Sequence, residues 1–375
     1  MKNKIVIACL GHDLSGGGAE RVALQLLNLL DRDLFSIELS YLRNYGELHR
    51  LIPLDLTPTF FVEGTTRFRN TISPAFREYR AIARRADILF GMTEGIPIYL
   101  ASLIGLLESK PSVGWSHSTT SRMFMGLNSL HRILMPLLFP HVSQIVCVSE
   151  GARADLTGLY NFKKRSPITI YNPLEIKSVR SMGAQPLPEA VNAWYERPTV
   201  IGVGRLVQEK RIDRLIRAFA IAIGDGLDAN LILLGQGPLQ VRLQEFAKVL
   251  GISSRVFFAG FQSNPYPYMK SASVLVLSSA SEGFGMALLE AMALGTPVIS
   301  TDCPGGPREL LQDGRNGILT PSDDPDAMAA AIATMVRDDE ARRNYVTHGL
   351  ERVEDFKASR IVQQFESVFL QLVRQ

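Results

Sequence analysis

The sequence has few of the features that mark secreted, membrane-spanning or metal-binding proteins. It has only three cysteines in 375 residues, Cys9, Cys147 and Cys303, and no CxxC pair. Cys9 and Cys147 stand in apolar runs, so we expect reduced thiols and a cytoplasmic protein. The apolar stretch in "MKNKIVIACLGHD" is too short for a signal peptide, and no apolar run approaches the ~20 residues that span a bilayer. We therefore expect neither a disulfide-rich secreted domain nor an integral membrane protein.

A strong excess of one charge is also missing. The formal net charge is +3. Residues 1–172 carry 19 Lys and Arg against 14 Asp and Glu, and the remaining residues carry 21 against 23. No basic stripe is interleaved with aromatic residues, so we expect no nucleic-acid partner. The mildly basic first half fits an anionic partner such as a phosphate group or a membrane surface.

Two common nucleotide-binding motifs are absent. The sequence contains no G-x-x-x-x-G-K-[ST], so a P-loop is not supported. A dinucleotide site would need G-x-G-x-x-G after a strand, but the pairs Gly202–Gly204 and Gly235–Gly237 both lack the third glycine. A nicotinamide-dependent dehydrogenase is therefore not indicated.

What the sequence does contain is an alternation of short apolar runs with longer helical patterns, which is typical of doubly wound parallel sheets. The runs predict strands at 4–10, 87–92, 112–117, 144–149 and 168–172, and again at 199–206, 229–235, 255–260, 273–279, 296–301 and 316–320. A proline-rich stretch between the two groups of predicted strands interrupts the alternation of strands and helices. The prediction is two Rossmann-like α/β domains that face a cleft: 1–172, a linker at 173–197, 198–357, and a final helix at 358–375 that packs back on the first domain.

Two glycine-rich or cationic turns could hold phosphate. Gly16, Gly17 and Gly18 lie between the first strand and the first helix, where backbone N–H groups and the helix dipole favour an anion. In "GVGRLVQEKRID", Arg205 and Lys210 flank a second strand–helix turn and could clamp a diphosphate. The alternative for the glycine turn is a mobile loop, and the alternative for Arg205 and Lys210 is a pair of solvated surface charges.

The stretch "SEGFGMALLE" places Glu282 and Glu290 on either side of a Gly-Phe-Gly turn. We expect a helix to start near Met286, with Glu290 roughly 6 Å along its axis and its side chain leaning back toward the helix N-terminus. Its two oxygens match the vicinal hydroxyls of a ribose, while Glu282 could hold a sugar beyond the phosphates. In one alternative, Glu290 is only a favourable acid in the first turn of the helix and Glu282 is a surface loop residue. In another, the two carboxylates are the catalytic pair of a glycosidase.

Taken together, these motifs resemble the E-x7-E signature and accompanying pattern of glycosyltransferase family 4, the retaining GT-B glycosyltransferases. The matching stretches follow the order of the family: "GGGAERVALQLLNLL", "WSHS", "VCVSEGARADL", "YNP", "GVGRLVQEKRIDRLIRAF", "LLGQGP", "FFAGF" and "SEGFGMALLEAMALGTPVISTDCPGGPREL". The resemblance covers nearly the whole chain. It is strongest in the second domain and weakest over 41–85.

The resemblance implies a nucleotide-sugar donor, with uracil the most common base and hence a UDP-sugar, and a set of residues that hold it. Glu290 would bind the ribose, Arg205 and Lys210 the diphosphate, and Glu282 the donor sugar. His117, in "WSHS", would reach the reacting sugar; without the resemblance, a histidine after a strand is more often a satisfied structural residue. The remaining contacts would come from Gly17, Gly18, Gly235, Phe261, Gln262, Gly283, Phe284, Gly285, Met286 and Leu289. His12, His49, His131, His141 and His348 match no motif and are taken as structural.

The chemistry that the family implies is transfer with retention at the anomeric carbon, in which cations and a helix dipole stabilise the leaving diphosphate. No enzyme nucleophile is evident. The acids in "SDDPD" (322–326) are interpreted as a loop and helix cap, so we expect no cofactor and no metal requirement.

The acceptor would be a glycan or a polyprenyl-diphosphate-linked saccharide of cell-surface polysaccharide or lipopolysaccharide biosynthesis. Arginines cluster in the first domain, and "HRILMPLLFP" (131–140) is apolar, so peripheral contact with the inner face of the cytoplasmic membrane is one interpretation. The alternative is a core helix beside a solvated face. The clustered arginines are Arg67, Arg69, Arg77, Arg80, Arg84 and Arg85.

Two rival functions belong to other classes. A non-hydrolysing sugar-nucleotide epimerase shares the two-domain architecture, but it would lack the arrangement of Arg205, Lys210 and Glu290. An inactive sugar-nucleotide-binding partner subunit would be indicated by the loss of a key residue, and His117, Arg205, Lys210, Glu282 and Glu290 are all present.

Overall fold

The computed structural model describes residues 4–15, 17–64, 68–121 and 129–374, and the side chains of 68–71, 129 and 130 lie outside this description. The chain forms two compact units. The first comprises residues 1–173 together with 358–375, and the second comprises Leu174–Lys357. Each unit is an α/β domain built on its own parallel sheet.

The strands of the first unit form a parallel sheet in the order β3-β2-β1-β4-β5-β6-β7, with seven strands in the part of the chain that the structure describes. The chain order reverses between β1 and β4, which is the switch point where such sheets bind ligands. The strands are β1 (Ile5–Gly11), β2 (Phe35–Asn44), β3 (Thr59–Glu63), β4 (Ile88–Gly91), β5 (Ser112–Ser116), β6 (Gln144–Cys147) and β7 (Ile168–Thr169). The helices are α1 (Gly18–Leu29), α2 (Phe68–Arg85), α3 (Ile96–Leu107), α4 (Ser129–Leu138) and α5 (Glu150–Leu159).

The second sheet has the order β10-β9-β8-β11-β12-β13, so its switch point lies between β8 and β11. The strands are β8 (Thr199–Val203), β9 (Asn230–Leu234), β10 (Val256–Gly260), β11 (Val274–Leu277), β12 (Val298–Thr301) and β13 (Ile318–Thr320). The helices of this unit are α6 (Ile176–Gly183), α7 (Glu189–Asn192), α8 (Ile212–Gly224), α9 (Gln240–Val249), α10 (Tyr266–Ser271), α11 (Met286–Ala293), α12 (Pro307–Leu310), α13 (Pro325–Arg337) and α14 (Asp339–Arg352).

Apolar spacing explains how the helices pack. On α8, Ile212, Leu215, Ile216 and Phe219 follow the i, i+3, i+4, i+7 pattern, and all four are buried against the sheet. The last helix, α15 (Ala358–Val373), belongs to the first unit. Its Phe369 packs edge-on against Phe35 and Phe90 at ring-centroid distances of 5.9 and 5.4 Å. The chain therefore returns to complete the core of the first unit.

The predicted linker at 173–197 is wrong. This segment carries α6 and α7 and lies in the second unit, where α6 packs on α10 and α11. Trp194 stacks on Phe257 at 5.1 Å. The prolines of the segment, read as linker residues, instead precede and separate two short helices, because a proline is tolerated outside a helix or in its first turn.

Two strands of the first unit, β2 and β3, were not predicted. Both lie in or near the stretch where the family resemblance was weakest. In β2 the polar residues Glu38 and Arg43 interrupt the apolar run, and β3 is an edge strand with few fully buried residues. Strands that expose one face lose the continuous apolar signal of a buried parallel strand.

Candidate functional site

The carboxyl ends of three strands converge in the second unit at a position where only glycine fits. Gly235, just after β9, has φ +128°, and a Cβ there would lie 1.9 Å from the carbonyl oxygen of Gly204. Its N–H donates to the Gly260 carbonyl at 2.8 Å, and the Gly204 N–H donates to the Leu234 carbonyl at 2.9 Å. The turns after β8, β9 and β10 are thus tied together, which fixes the loop that carries Arg205 and Lys210.

Lys210 and Glu282 form an ion pair at this edge of the sheet. Lys210 Nζ lies 2.5 Å from Glu282 Oε1, and the two side chains are 23% and 10% exposed. Ser279 Oγ donates to the same Glu282 oxygen at 2.6 Å, and Ser278 Oγ donates to the Lys210 carbonyl at 2.9 Å. The alternative interpretations of Lys210 as a solvated charge and Glu282 as a plain surface loop residue do not describe this partly buried pair.

Arg205 differs from Lys210 in its environment. Arg205 is exposed, and its guanidinium has no hydrogen-bond or ion-pair partner among the described residues. The stem of Lys210 lies over Gly204, because a Cβ built on Gly204 would be 3.7 Å from Lys210 Cδ. The turn therefore presents one anchored cation and one exposed cation on the same side of β8.

The N-terminus of α11 lies on the neighbouring loop. Gly285 is its N-cap residue in the left-handed region, φ +98°, and no side chain caps the helix there. Phe284 is buried and packs edge-on against Phe356 at 5.3 Å, and a Cβ on Gly306 would lie 2.6 Å from Phe284 Cα. The close packing fixes the turn before a helix start whose dipole favours an anion. The helix begins at Met286, as predicted.

Glu290 lies one turn further along α11 and is partly buried. Tyr266 Oη donates to Glu290 Oε1 at 3.1 Å. Leu289, in the predicted site set, has a fully buried side chain, so only its backbone can face a ligand. At the turn after β10, Phe261 and Gln262 are partly buried, and Gln262 Nε2 donates to the Ala259 carbonyl at 2.7 Å.

In the first unit, His117 follows β5 and is tightly held. Its ring lies 4.4 Å from the Trp115 ring, its Nε2 lies 2.9 Å from the Met92 carbonyl, and its N–H donates to Glu94. A carbonyl accepts only from a protonated nitrogen, so Nε2 carries the proton and Nδ1 of the neutral ring is an acceptor. Nδ1 is buried and has no hydrogen-bond partner among the described residues.

Gly17 and Gly18 mark the start of α1, and the Gly16 part of the predicted turn lies outside the described residues. The carboxylate of Glu20 folds back toward Gly17, because a Cβ on Gly17 would lie 2.2 Å from Glu20 Oε2. Burial raises the pKa of Glu20. Sequence reasoning missed both Glu20 and Glu94, although the position of Glu94 just beyond β4 was a usable signal.

A second missed cluster lies at the end of β1. Arg43 donates to Asp13 Oδ2 at 3.0 Å, and His12 Nδ1 lies 3.0 Å from the same oxygen. The sequence predicts only a structural role for His12, and Arg43 lies on β2, which the sequence patterns did not predict. Burial acts to raise the pKa of Asp13, but hydrogen bonds with His12 and Ser15 outweigh it and lower the pKa to about 2.

We expect Asp13→Asn to lower the free energy of unfolding of the first unit by about 2 kcal/mol at pH 7. A lowered native pKa stabilises the fold above the unfolded value of 3.8, and this contribution is lost as the pH falls toward about 2. Urea denaturation at several pH values in a Trp194→Phe background checks this, because Trp115 then reports the first unit alone.

The exposed acid Asp33 supplies the control, and Asp33→Asn should leave the stability unchanged. An Asp13→Asn variant as stable as the wild type at pH 7, with the same acid limb, would contradict the assignment of the lowered pKa.

The arginine cluster of the first unit is largely neutralised by ion pairs. Arg80 and Arg84 pair with Glu108, and Arg85 lies 2.7 Å from Glu38. Arg77 pairs with Glu78 at 2.9 Å. Arg67 and the side chain of Arg69 lie outside the described residues. These contacts match the alternative of a solvated, paired face more closely than a free basic surface.

The apolar segment 131–140 is divided between core and surface. On α4, Met135 and Leu138 are buried, whereas Ile133 and Leu137 are 64% and 60% exposed. Across the described helices, none has the length and apolar character needed to cross a membrane. In the same part of the chain, no three His, Cys, Asp or Glu residues are grouped as metal ligands, and Asp324 caps α13 by accepting from the Ala327 N–H at 2.8 Å.

Models of two sequence families match the two halves of the chain. Residues 16–178 match the model described as Glycosyltransferase Family 4, and residues 188–352 match the model described as Glycosyl transferases group 1. Between them the matches extend over nearly all of both units.

Relatives and solved structures agree with the family models. The chain is 28% identical over 364 residues to the N-acetylgalactosamine-N,N'-diacetylbacillosaminyl-diphospho-undecaprenol 4-alpha-N-acetylgalactosaminyltransferase of Campylobacter jejuni, covering 93% of this chain and 95% of the relative. It is 39% identical over 157 residues to the lipopolysaccharide 1,6-galactosyltransferase of Salmonella typhimurium, covering 40% of each chain. The structure of Anabaena HepE in complex with UDP-glucose superposes with a TM-score of 0.81 at 20% identity, covering 98% of this chain and 100% of HepE.

Two doubly wound parallel-sheet units with a cationic turn and an E-x7-E loop define a GT-B glycosyltransferase. The chain belongs to glycosyltransferase family 4, in agreement with the resemblance of its motifs, and its relatives act in glycan and lipopolysaccharide biosynthesis.

Proposed function

We propose that this chain is a retaining glycosyltransferase that transfers a sugar from a UDP-sugar to a glycan or polyprenyl-diphosphate-linked saccharide acceptor. The observation that carries the proposal is the partly buried Lys210–Glu282 pair beside the start of α11, which no side chain caps, with Glu290 on the same helix. The UDP-glucose complex of the similar protein HepE supports UDP as the nucleotide.

Each group in the second unit has a role that its environment suits. Lys210 has three N–H donors, and one is directed at Glu282 Oε1, so others can reach the diphosphate. Arg205 and the α11 dipole add positive potential where the leaving diphosphate gains charge. Glu290 accepts the ribose hydroxyls. These cations supply the charge that a metal would otherwise provide, so we propose metal-independent transfer.

Glu282 is proposed to bind hydroxyls of the donor sugar rather than to attack its anomeric carbon. Its carboxylate already receives Lys210 Nζ and Ser279 Oγ on one oxygen, and such hydrogen bonds lower the nucleophilicity of a carboxylate. The reaction then proceeds by attack of the acceptor on the face that the diphosphate leaves, and a phosphate oxygen takes the proton of the acceptor hydroxyl.

His117 is proposed to bind a hydroxyl of the reacting sugar. Its ring is fixed by the Met92 carbonyl and by Trp115, and its Nδ1 acceptor is buried without a partner in the described chain. A buried acceptor of this kind is stabilised when a ligand supplies the missing donor. The N-terminus of α1, at Gly17 and Gly18, is proposed to contribute N–H groups to the diphosphate.

For the acceptor we propose a lipid-linked saccharide at the inner face of the cytoplasmic membrane, in cell-surface polysaccharide biosynthesis. The name of the Campylobacter jejuni relative includes a diphospho-undecaprenol acceptor. The exposed Ile133 and Leu137 of α4 give the first unit an apolar surface of the kind that peripheral membrane proteins use.

The test is nucleoside diphosphate release from UDP-, GDP- and ADP-sugars, with and without a bacterial lipid-linked glycan extract. We expect release from a UDP-sugar that the extract increases and that EDTA leaves unchanged. Interconversion of the sugar nucleotide without release would identify an epimerase instead. Binding without either reaction would identify an inactive partner subunit.

Glu290→Ala is expected to lower kcat/KM in this assay by at least about 100-fold, because hydrogen bonds to a charged carboxylate are each worth about 1.5–3 kcal/mol and two are lost. Melting temperatures check that the variant is folded. Wild-type kcat/KM in a folded Glu290→Ala protein would contradict the assignment of the ribose site.

A further inference from the structure

The carboxylate of Glu290 is held by a residue that the sequence motifs do not include. Tyr266 Oη donates to Glu290 Oε1 at 3.1 Å, across 24 positions of sequence. Tyr266 is 6% exposed and stands at the start of α10. The hydrogen bond therefore joins two different helices of the second unit at the acid proposed to bind the ribose.

The backbone of Tyr266 is itself anchored by a side chain. The Tyr266 N–H donates to Asn264 Oδ1 at 3.2 Å. The Asn264 amide in turn donates to the Met182 carbonyl at 3.1 Å and to Gln185 Oε1 at 2.9 Å. The contacts therefore run from α6 and the residue Gln185 after it, through Asn264, to the backbone from which the phenol of Tyr266 extends to Glu290.

Helix α6 also packs directly against α11, the helix that carries Glu290. Arg180 Nε donates to the Ala293 carbonyl at 2.9 Å, where a cation stabilises the C-terminal end of the helix. Gly183 packs so closely on Leu294 that an added Cβ would lie 2.4 Å from Leu294 Cδ2. α6 therefore contacts both the segment that carries Tyr266 and the helix that carries Glu290. These contacts fix the position of the two residues relative to each other.

We propose that Tyr266 is a positioning residue, which orients the Glu290 carboxylate to receive the ribose hydroxyls of the donor. The proposal rests on the role proposed for Glu290. A glutamate has several rotatable bonds, and the hydrogen bond from a buried phenol selects one orientation before the ligand arrives. A carboxylate can accept about four hydrogen bonds, so one from the phenol leaves capacity for two hydroxyls. Ordering the group in advance lowers the entropy that binding must offset.

The experiment compares calorimetric binding of UDP and 2′-deoxy-UDP to the full chain. The ratio of their dissociation constants measures how well the protein uses the 2′-hydroxyl. We expect at least about a tenfold preference for UDP in the wild type, and a fall to about threefold or less in Tyr266→Phe. Asn264→Ala, which keeps the phenol but removes its anchor, should give an intermediate ratio.

Tyr268→Phe is the matched control, because it removes a second phenol from the same helix, and this phenol makes no hydrogen bond to Glu290 in the described part of the chain. It should keep the wild-type ratio. With the cognate sugar donor, Tyr266→Phe should raise KM by about three- to tenfold and change kcat little. The substitution weakens binding of the ribose equally in the ground state and the transition state.

Three outcomes would overturn the inference. A Tyr266→Phe protein with the wild-type ratio, beside a Glu290→Ala protein that has lost it, would refute the positioning role and leave the ribose site intact. A lowered melting temperature with an unchanged ratio would make Tyr266 a structural residue only. A Glu290→Ala protein that still prefers UDP as the wild type does would refute both the positioning role and the proposed ribose site.

Discussion

Lys210→Ala is expected to reduce transfer about a thousandfold, the effect that removal of one preorganised charge from a transition state commonly has. The structure adds an expected cost in stability. Glu282, whose side chain is 10% exposed, would lose the ammonium that lies 2.5 Å away. We expect the free energy of unfolding to fall by about 2 kcal/mol, since a buried carboxylate is left without its cation. Nucleoside diphosphate release and urea denaturation measure the two effects.

A double variant separates the two effects of this substitution. In Lys210→Ala with Glu282→Gln, the remaining side chain is neutral, so most of the lost stability should return while transfer stays at least about a thousandfold below that of the wild type. Lys210→Arg keeps the charge but changes its shape and reach, and it should retain part of the activity. Activity within tenfold of the wild type in Lys210→Ala would remove Lys210 from the diphosphate site.

Gly235→Ala is expected to have the largest effect on the fold of the second unit. The new Cβ would lie 1.9 Å from the Gly204 carbonyl oxygen, and the backbone at φ +128° is strained for any residue with a Cβ. Relief requires the turns after β8 and β9 to separate, which would move Arg205. We expect the free energy of unfolding to fall by about 3 kcal/mol or more and UDP binding to be lost.

Gly224→Ala is the control for this substitution. Gly224 ends α8, and an added Cβ there meets no atom within 4 Å. Alanine is the better helix former, so this variant should be as stable as the wild type or slightly more stable. A Gly235→Ala protein that melts and binds UDP like the wild type would show that the three strand ends are not coupled as the structure indicates.

The second unit could be predicted well from sequence because its central strands β9, β8, β11 and β12 are buried on both faces, and its edge strands β10 and β13 are at least partly buried. All six appear as short, nearly continuous apolar runs, and each lies within or close to its predicted range. The start of α11 was predictable for a different reason. Gly285 adopts a left-handed conformation that a glycine permits, so the glycine itself marked the turn.

The pairing of Lys210 with Glu282 could not be predicted from either motif alone. The residues are 72 positions apart, and they meet only because β8 and β11 are neighbours at the switch point of the sheet. The sequence identified each residue as a ligand-binding candidate, with a separate target for each. That the two bind each other follows from strand order, which local patterns do not encode.

Other parts of the site were missed because the elements that hold them were missed. Arg43 binds Asp13 from β2. The polar residues of this strand interrupt its apolar run, so the sequence pattern did not indicate a buried strand. Tyr266 reaches Glu290 through a geometry that α6 sets, and α6 lies in the segment taken as a linker. In both cases a tertiary contact with a short or half-exposed element decided the arrangement.

The return of α15 to the first unit makes that unit discontinuous along the chain, whereas the second unit is one unbroken segment, Leu174–Lys357. During synthesis, the second unit has all its residues before the first unit does. The core around Phe35 and Phe90 cannot be completed before Phe369, which follows the whole second unit in the chain, has been translated. The first unit therefore reaches its final packing only after the whole second unit has been synthesised, and until then its unfinished apolar surface is a target for chaperones and for aggregation.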